Sequence, residues 1–475
     1  MALDSRRYAT LGAVELAAMV RRGETNATEL VHCALDAIAV TDRALNAWCE
    51  VFSDTALARA AALDAEARNG LFLGPLHGIP IGVKDLFQVA GTCTRRGSRL
   101  YESDLAKETA PVVERMLNAG AIMVGKNTTP EVGWKASSNS PLYGVTRNPW
   151  DTSRTTGGSS SGSGAAVAAG TVPITLGSDG GGSLRIPAAY CGIFSMKAHL
   201  GRIPTWPLSP AEQLSCAGPM THSVADYALA LDVLQGPDVR DPNSLPASGV
   251  SYLATLQAPV GPLRCALAPT LFGRQVEPAV AAVVEAAFEK VRAMPGIEVV
   301  PARLDWPDPV EIFDALWVVR ASLYKDLEPA KKALLDPGFA RQVELSARIA
   351  VEDHLKALKA RAAFCRTVAE SFCDFDLLLL PMVPIEPFAA NADGPPDMDG
   401  APPVPWARWT PFSHPFNVTG QPAASVPCGW TRSGLPVGLQ VVGARFDELR
   451  VMQFCAAWER VFDGRDRRPP VFAGA

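Results

Sequence analysis

A lysine and two serines in this chain are spaced for one kind of chemistry. From Gly157 to Pro187 the sequence reads GGSSSGSGAAVAAGTVPITLGSDGGGSLRIP, two Gly/Ser loops separated by a small-residue helix and a strand. That spacing lets a single βα-type unit bring two hydroxyls, Ser159 and Ser183, together. Upstream, HGIPIGVKDLF sets Lys84 and Asp85 at the end of an apolar run. Burial there disfavours the ammonium form and turns the amine into a usable base. A buried lysine with two loop serines can run nucleophilic catalysis without histidine. The second loop, Ser178-Asp179-Gly180-Gly181-Gly182-Ser183-Leu184-Arg185, follows the strand VPITLG. Open sheets bind ligands at the carboxyl ends of their strands. Successive glycines before a serine can aim several N–H donors at one point, as a developing oxyanion requires. The first loop runs straight into AAVAAG, and a loop entering a helix presents free backbone N–H groups.

Those loops need a framework. The chain has 475 residues, 48% hydrophobic and 20% charged, enough for a sizeable core. Residues 1–70 read as N-terminal helices, with Thr28 as the N-cap of ELVHCAL. From 71 to 235, strand-like IPIGV, AIMVG and VPITLG alternate with helical APVVERMLNAG and SGSGAAVAAG. Such alternation predicts an α/β sandwich whose sheet is buried on both faces. Residues 236–375 read as a connecting loop up to 265 and then a helical covering region, including the long run FARQVELSARIAVEDHLKALKARAAFCRTVAESF. Strands return in 376–475 as DLLLLPMVP, ASVPCGW and PVGLQVVG, completing the core sheet.

Several function classes fall away. A net charge of −5 and no run of Lys or Arg argue against a nucleic-acid partner. No apolar stretch is long enough for a membrane span, and MALDSRRYATLGAVELAAMV lacks the uninterrupted apolar segment of a signal peptide. Ten cysteines without a CxxC pair suit free thiols in a reducing cytoplasm. The six histidines show no metal-ligand spacing, so no metal or other cofactor is expected; His77 reads as a support for the lysine strand.

Two motifs mislead. Gly158-Ser159-Ser160-Ser161-Gly162 fits the GxSxG elbow with Ser160 as nucleophile, but that elbow needs a buried strand before it, and NPWDTSRTT is polar. Gly120 to Asn127 nearly fits a phosphate-binding loop, but AIMV reads as a strand and Asn127 lacks the hydroxyl for a metal.

GGSSSGSG, SDGGGSLRIP and HGIPIGVKD together resemble the amidase signature family. The resemblance runs from about residue 70 to 205 and resumes near 376–460. It implies a large mixed β-sheet between helices, one core domain with a helical covering region, and a Ser-Ser-Lys triad. By position, Ser183 is then the nucleophile, Ser159 the bridging serine with a cis peptide, and Lys84 the general base. Backbone N–H groups of Gly180, Gly181, Gly182 and Ser183 form the oxyanion hole, while Ser160, Asp179 and Arg185 support the loops. The chain departs from the family at Ser161, where glycine is commoner, at Gly180, where threonine or isoleucine often sits, and at MKAH (196–199), which replaces LKPT.

The function implied is cofactor-independent hydrolysis of a small-molecule amide or carbamate through an acyl-enzyme on Ser183. The alternative is the A-type subunit of a glutamine-dependent tRNA amidotransferase, although 339–361 does not resemble the corresponding stretch of that protein. A homodimer is left open. Trp206, Trp317 and Trp409 are expected to line the substrate pocket, with Trp306 and Trp406 nearby in the segments outside the triad motifs. Tryptophan faces suit aryl or bulky apolar groups.

Overall fold

The structure, a computed structural model, describes residues 3–258, 260–396 and 404–473. Its strands are β1 (Trp48–Val51), β2 (Pro80–Lys84), β3 (Ile122–Asn127), β4 (Asn139–Ser140), β5 (Gly144–Val145), β6 (Ile174–Asp179) and β7 (Phe194–Lys197). There follow β8 (Cys216–Thr221), β9 (Leu263–Leu267), β10 (Ile297–Val300), β11 (Leu377–Pro381), β12 (Ala423–Trp430) and β13 (Pro436–Gly443). β4 and β5 pair with each other, and the rest form one 11-stranded sheet in the order β1-β3-β2-β6-β8-β7-β12-β13-β11-β9-β10. The sheet is mixed. β2 runs parallel to β3 and β6, and β9 parallel to β10 and β11, while the other neighbours are antiparallel.

The sequence of β11 shows how such a sheet is stabilised. Successive side chains of a strand point to opposite faces. Leu377 and Leu379 enter one apolar cluster, Leu378 and Leu380 the other, and all four are fully buried. Each such leucine stabilises the fold by about 1.5–3 kcal/mol relative to an exposed one. A strand covered on both sides therefore reads as an unbroken apolar run rather than an alternating one. The helices Ala27–Leu45, Pro111–Asn118, Val224–Leu234 and Glu448–Val461 cover the first face. Arg185–Cys191, Val310–Val318, Pro337–Ser346, Val351–Ser371 and Pro415–Thr419 cover the second.

Several local expectations are corrected. The first-layer helix Ala27–Leu45 is capped by Asn26, not Thr28. Asn26 is extended and its side chain accepts the Glu29 N–H, while Thr28 lies in the first turn and donates from its N–H to Asp64. β8 (CAGPMT) gave no strand signal because Gly218 and Pro219 are poor strand formers, yet it sits in the middle of the sheet. β9 and β10 extend the sheet edge out of segments that read as loop and helix. The long helical run is two helices, Pro337–Ser346 and Val351–Ser371, divided at Ala350, which adopts an extended conformation. His77 is buried before β2 and ties Leu73 N–H and Leu63 C=O to the start of that strand.

The parallel register sets up the site. Val83 of β2 stands opposite Leu176 of β6, so both strands end at the same edge and deliver Lys84 beside the loop that starts at Ser178. The first Gly/Ser loop closes over them through the helix Ser161–Ala168, every residue of which is buried. Gly162 permits that approach, since a Cβ there would lie 2.2 Å from Ala47 C=O and 2.5 Å from Thr128 N.

Candidate active site

Lys84 has no exposed surface. Its Nζ lies 2.8 Å from Ser159 Oγ and 3.0 Å from both Ser160 Oγ and Ser178 Oγ. Among the described residues it has no carboxylate in ion-pair contact. Burial pushes its pKa well below the ordinary lysine range, and the charge of Asp179 opposes that only in part. In its neutral form the amine has two hydrogens and one lone pair, so it would donate to two of the three hydroxyls and accept from the third. Ser159, the nearest, follows a cis Gly158–Ser159 peptide. Opposite it stands Gly133, at φ 64°, where a Cβ would lie 3.1 Å from Ser159 Oγ.

Ser183 and Ser159 line the same cavity of about 240 Å³. The two loops are joined by Ser160 N–H donating to Ser183 C=O at 3.3 Å. Neither Ser183 Oγ nor its N–H has a hydrogen-bond partner among the described residues, and the N–H groups of Gly180 and Gly181 are also free. Gly182 differs: its N–H donates to Asp179 Oδ1 at 2.7 Å. Gly182, expected among the oxyanion donors, thus has its N–H committed to a carboxylate, whereas those of Gly180, Gly181 and Ser183 are unpaired among the described residues.

Asp179 and Arg185 fix the shape of this loop. Arg185 binds the carboxylate through two nitrogens, at 2.9 and 3.0 Å, and both residues are fully buried. Asn417 Nδ2 donates to the same carboxylate at 2.8 Å, and Gln440 Oε1 accepts from Arg185 at 2.8 Å. Burial alone would raise the Asp179 pKa, but Arg185, Asn417 and Lys197 overcome it and hold the carboxyl below the usual range. Asp179 is thus a permanent anion serving the backbone.

Aromatic side chains wall the glycine loop. A Cβ on Gly180 would lie 2.7 Å from Trp317 Cζ3, so the indole fills the space a larger residue at that position would use. A Cβ on Gly181 would meet Trp406 at 2.6 Å and Phe313 at 2.8 Å. Trp206 and Trp317 line the cavity that Ser159 and Ser183 share. Trp409 does not: it is buried against Tyr190, stacked at 6.4 Å, and borders a different cleft. Trp306 is likewise occupied elsewhere, donating to Ser371 Oγ. Of the segment 385–412, residues 397–403 lie outside the described residues.

Sequence reasoning did not single out Ser178 beside Lys84, Arg320 on the cavity wall, or Asn417 and Gln440 around Asp179 and Arg185. Ser178 was visible at the end of the strand that carries the glycine loop. Asn417 and Gln440 stand 238 and 255 residues from their partners Asp179 and Arg185, and no local pattern links them. The misleading motifs resolve simply: Ser160 Oγ is spent on Lys84 and Ser178, and residues 122–127 are strand β3. Among the described residues no group of three or more His, Cys, Asp or Glu is disposed to hold a metal ion, and no helix is long and apolar enough to cross a membrane. All ten cysteines are free.

The chain is similar to known proteins over nearly its whole length. The A-type subunit of glutamyl-tRNA(Gln) amidotransferase from Chloroflexus aggregans is 35% identical, with 97% of this chain and 98% of that one covered. An acylamidase from Rhodococcus erythropolis is 33% identical, with 97% of each covered. The crystal structure of a bacterial aryl acylamidase superposes with a TM-score of 0.88 at 27% identity, over 97% of this chain and 99% of its own. The Amidase family matches residues 29–452, and the chain accordingly belongs to the amidase signature family of amide-hydrolysing enzymes.

Proposed function

We propose that this protein is a stand-alone, cofactor-independent hydrolase of carboxamide bonds acting through an acyl-enzyme on Ser183. The observation that carries the reading is the buried amine of Lys84 held 2.8 Å from the Oγ of Ser159, which lines the same cavity as Ser183. Neutral Lys84 draws a proton from Ser159 as Ser159 takes one from Ser183, and Ser183 Oγ attacks the amide carbonyl. The N–H groups of Gly180, Gly181 and Ser183 receive the negative charge that develops on the carbonyl oxygen. The relay then runs backwards, protonating the leaving amine as the C–N bond breaks. Water enters by the same route and hydrolyses the ester on Ser183.

Trp206 and Trp317 on the cavity wall support aryl or bulky apolar amides over acetamide-sized ones. The similarity to a bacterial aryl acylamidase agrees with that preference. A second reading, release of ammonia from glutamine for a partner protein, is favoured by the similarity to the A-type amidotransferase chain. Assaying the purified chain on an anilide, acetamide, a carbamate and glutamine separates them. We expect the highest kcat/KM on the anilide. Turnover confined to glutamine, or appearing only with a co-purifying partner, overturns the stand-alone reading.

A further inference from the structure

We propose that the substrate carries a carboxylate, bound by the guanidinium of Arg320 on the cavity wall beside the glycine loop. This deepens the amide-hydrolase reading and rests on it for the identity of the reacting bond. Arg320 lines the same cavity as Ser183 and Ser159. Its Nη1 donates weakly to Val132 C=O at 3.4 Å, while Nε and Nη2 are buried with no hydrogen-bond partner among the described residues. Burial lowers its pKa to about 10, so it is still cationic at neutral pH. A buried cation with unpaired donors is costly unless something supplies the missing acceptors.

The surroundings do not supply them. Among the described residues no Asp or Glu lines the cavity. Arg96, the other cation on its wall, is paired with Asp104 at 3.0 Å. Tyr324, one turn beyond Arg320, holds its hydroxyl against Tyr101. Among the described residues the cavity therefore presents one unneutralised positive charge and no negative one.

Geometry selects the anion. The guanidinium carbon sits 3.9 Å from the centre of the Trp317 ring, so the group is stacked on the indole, and its buried Nε and Nη2 are the donors that a shift of the side chain toward the cavity would offer a ligand. A planar fork with unused donors matches a carboxylate, which accepts two parallel N–H bonds. Trp317 is also the residue that reaches the Cβ position of Gly180, so one side chain connects the anion position to the oxyanion loop. A substrate lying along the indole would place its carboxylate at Arg320 and its scissile carbonyl at Ser183.

Two matched pairs test this. The 4-nitroanilides of glutaric and pentanoic acid put the carboxylate on the acyl side, and 4-acetamidobenzoate and acetanilide put it on the leaving group. We expect a higher kcat/KM for the charged member of at least one pair. Arg320→Gln should lower that preference ratio by about 10- to 100-fold, the range for hydrogen bonds to a charged group, and Arg320→Lys should restore part of it. Equal kcat/KM within both pairs, or a ratio that Arg320→Gln leaves unchanged, overturns the proposal. Calorimetric titration with glutarate gives a readout independent of turnover. Binding to the native protein that weakens in Arg320→Gln supports the carboxylate site even if no anilide is cleaved, whereas equal affinity in both proteins refutes it. Failure of hydrolysis with glutarate binding intact would count against the hydrolase reading alone.

Discussion

Asp179→Asn should be among the most damaging substitutions in the molecule, although Asp179 touches no reacting atom. Its carboxylate accepts from Gly182 N–H (2.7 Å), Leu184 N–H (3.3 Å), Arg185 Nε and Nη2 (2.9 and 3.0 Å) and Asn417 Nδ2 (2.8 Å). The amide removes the charge and turns one acceptor into a donor facing donors. Arg185 would remain fully buried with its charge uncompensated, and losing one partner of a buried pair costs about 3–5 kcal/mol. Freeing Gly182 also loosens the turn that aims its neighbours, and loss of one oxyanion donor is worth about 10²–10³ in kcat. Urea denaturation followed by tryptophan fluorescence reads the first effect, and anilide turnover reads the second. The pH dependence has a definite sign. A carboxyl with a depressed folded pKa contributes stability that is complete above its unfolded value, about 4, and is lost as pH falls through the folded one. The gap between native protein and variant should therefore stay constant from pH 8 to 5 and close only in stronger acid. A loss below about 1 kcal/mol, or a gap that closes between pH 5 and 7, would refute this account of the loop.

Lys84→Met should lower amide turnover by about 10²–10⁴, the usual worth of a proton-transfer group. In the native enzyme kcat/KM should rise with pH to a plateau, because Lys84 accepts a proton only above its depressed pKa; an acidic optimum contradicts the relay. Gly180→Ala sets a methyl 2.7 Å from Trp317 and should cut kcat/KM, and Trp317→Phe in the same chain should recover part of the loss. Additive losses in that double-mutant cycle would show that the indole does not fill the vacated side-chain space.

Local signals account for what the sequence made legible. β2, β6 and the paired Gly/Ser loops announce themselves through apolar runs ending in Lys84 and Asp179 and through glycines before Ser183. Elements set by tertiary context were harder to read. β8 contains Gly218 and Pro219 and is a strand because β6 and β7 flank it. The clamp on Asp179 draws on Asn417 and Gln440, and the orphaned edge of Arg320 arises from how a covering helix docks. The tryptophans divide for the same reason: Trp317 faces the cavity and Trp409 packs on Tyr190, although composition treats them alike. The commitment of the Gly182 N–H depends on one carboxylate oxygen, and no spacing rule encodes it.

The central claim is that Ser183, served by Lys84 through Ser159, is the nucleophile. A fluorophosphonate probe followed by peptide mapping tests it directly in the native protein and in the Ser183→Ala and Ser160→Ala variants. The account predicts a single adduct on Ser183, abolished in Ser183→Ala and retained in Ser160→Ala. An adduct on Ser160, or labelling that survives Ser183→Ala, would contradict it.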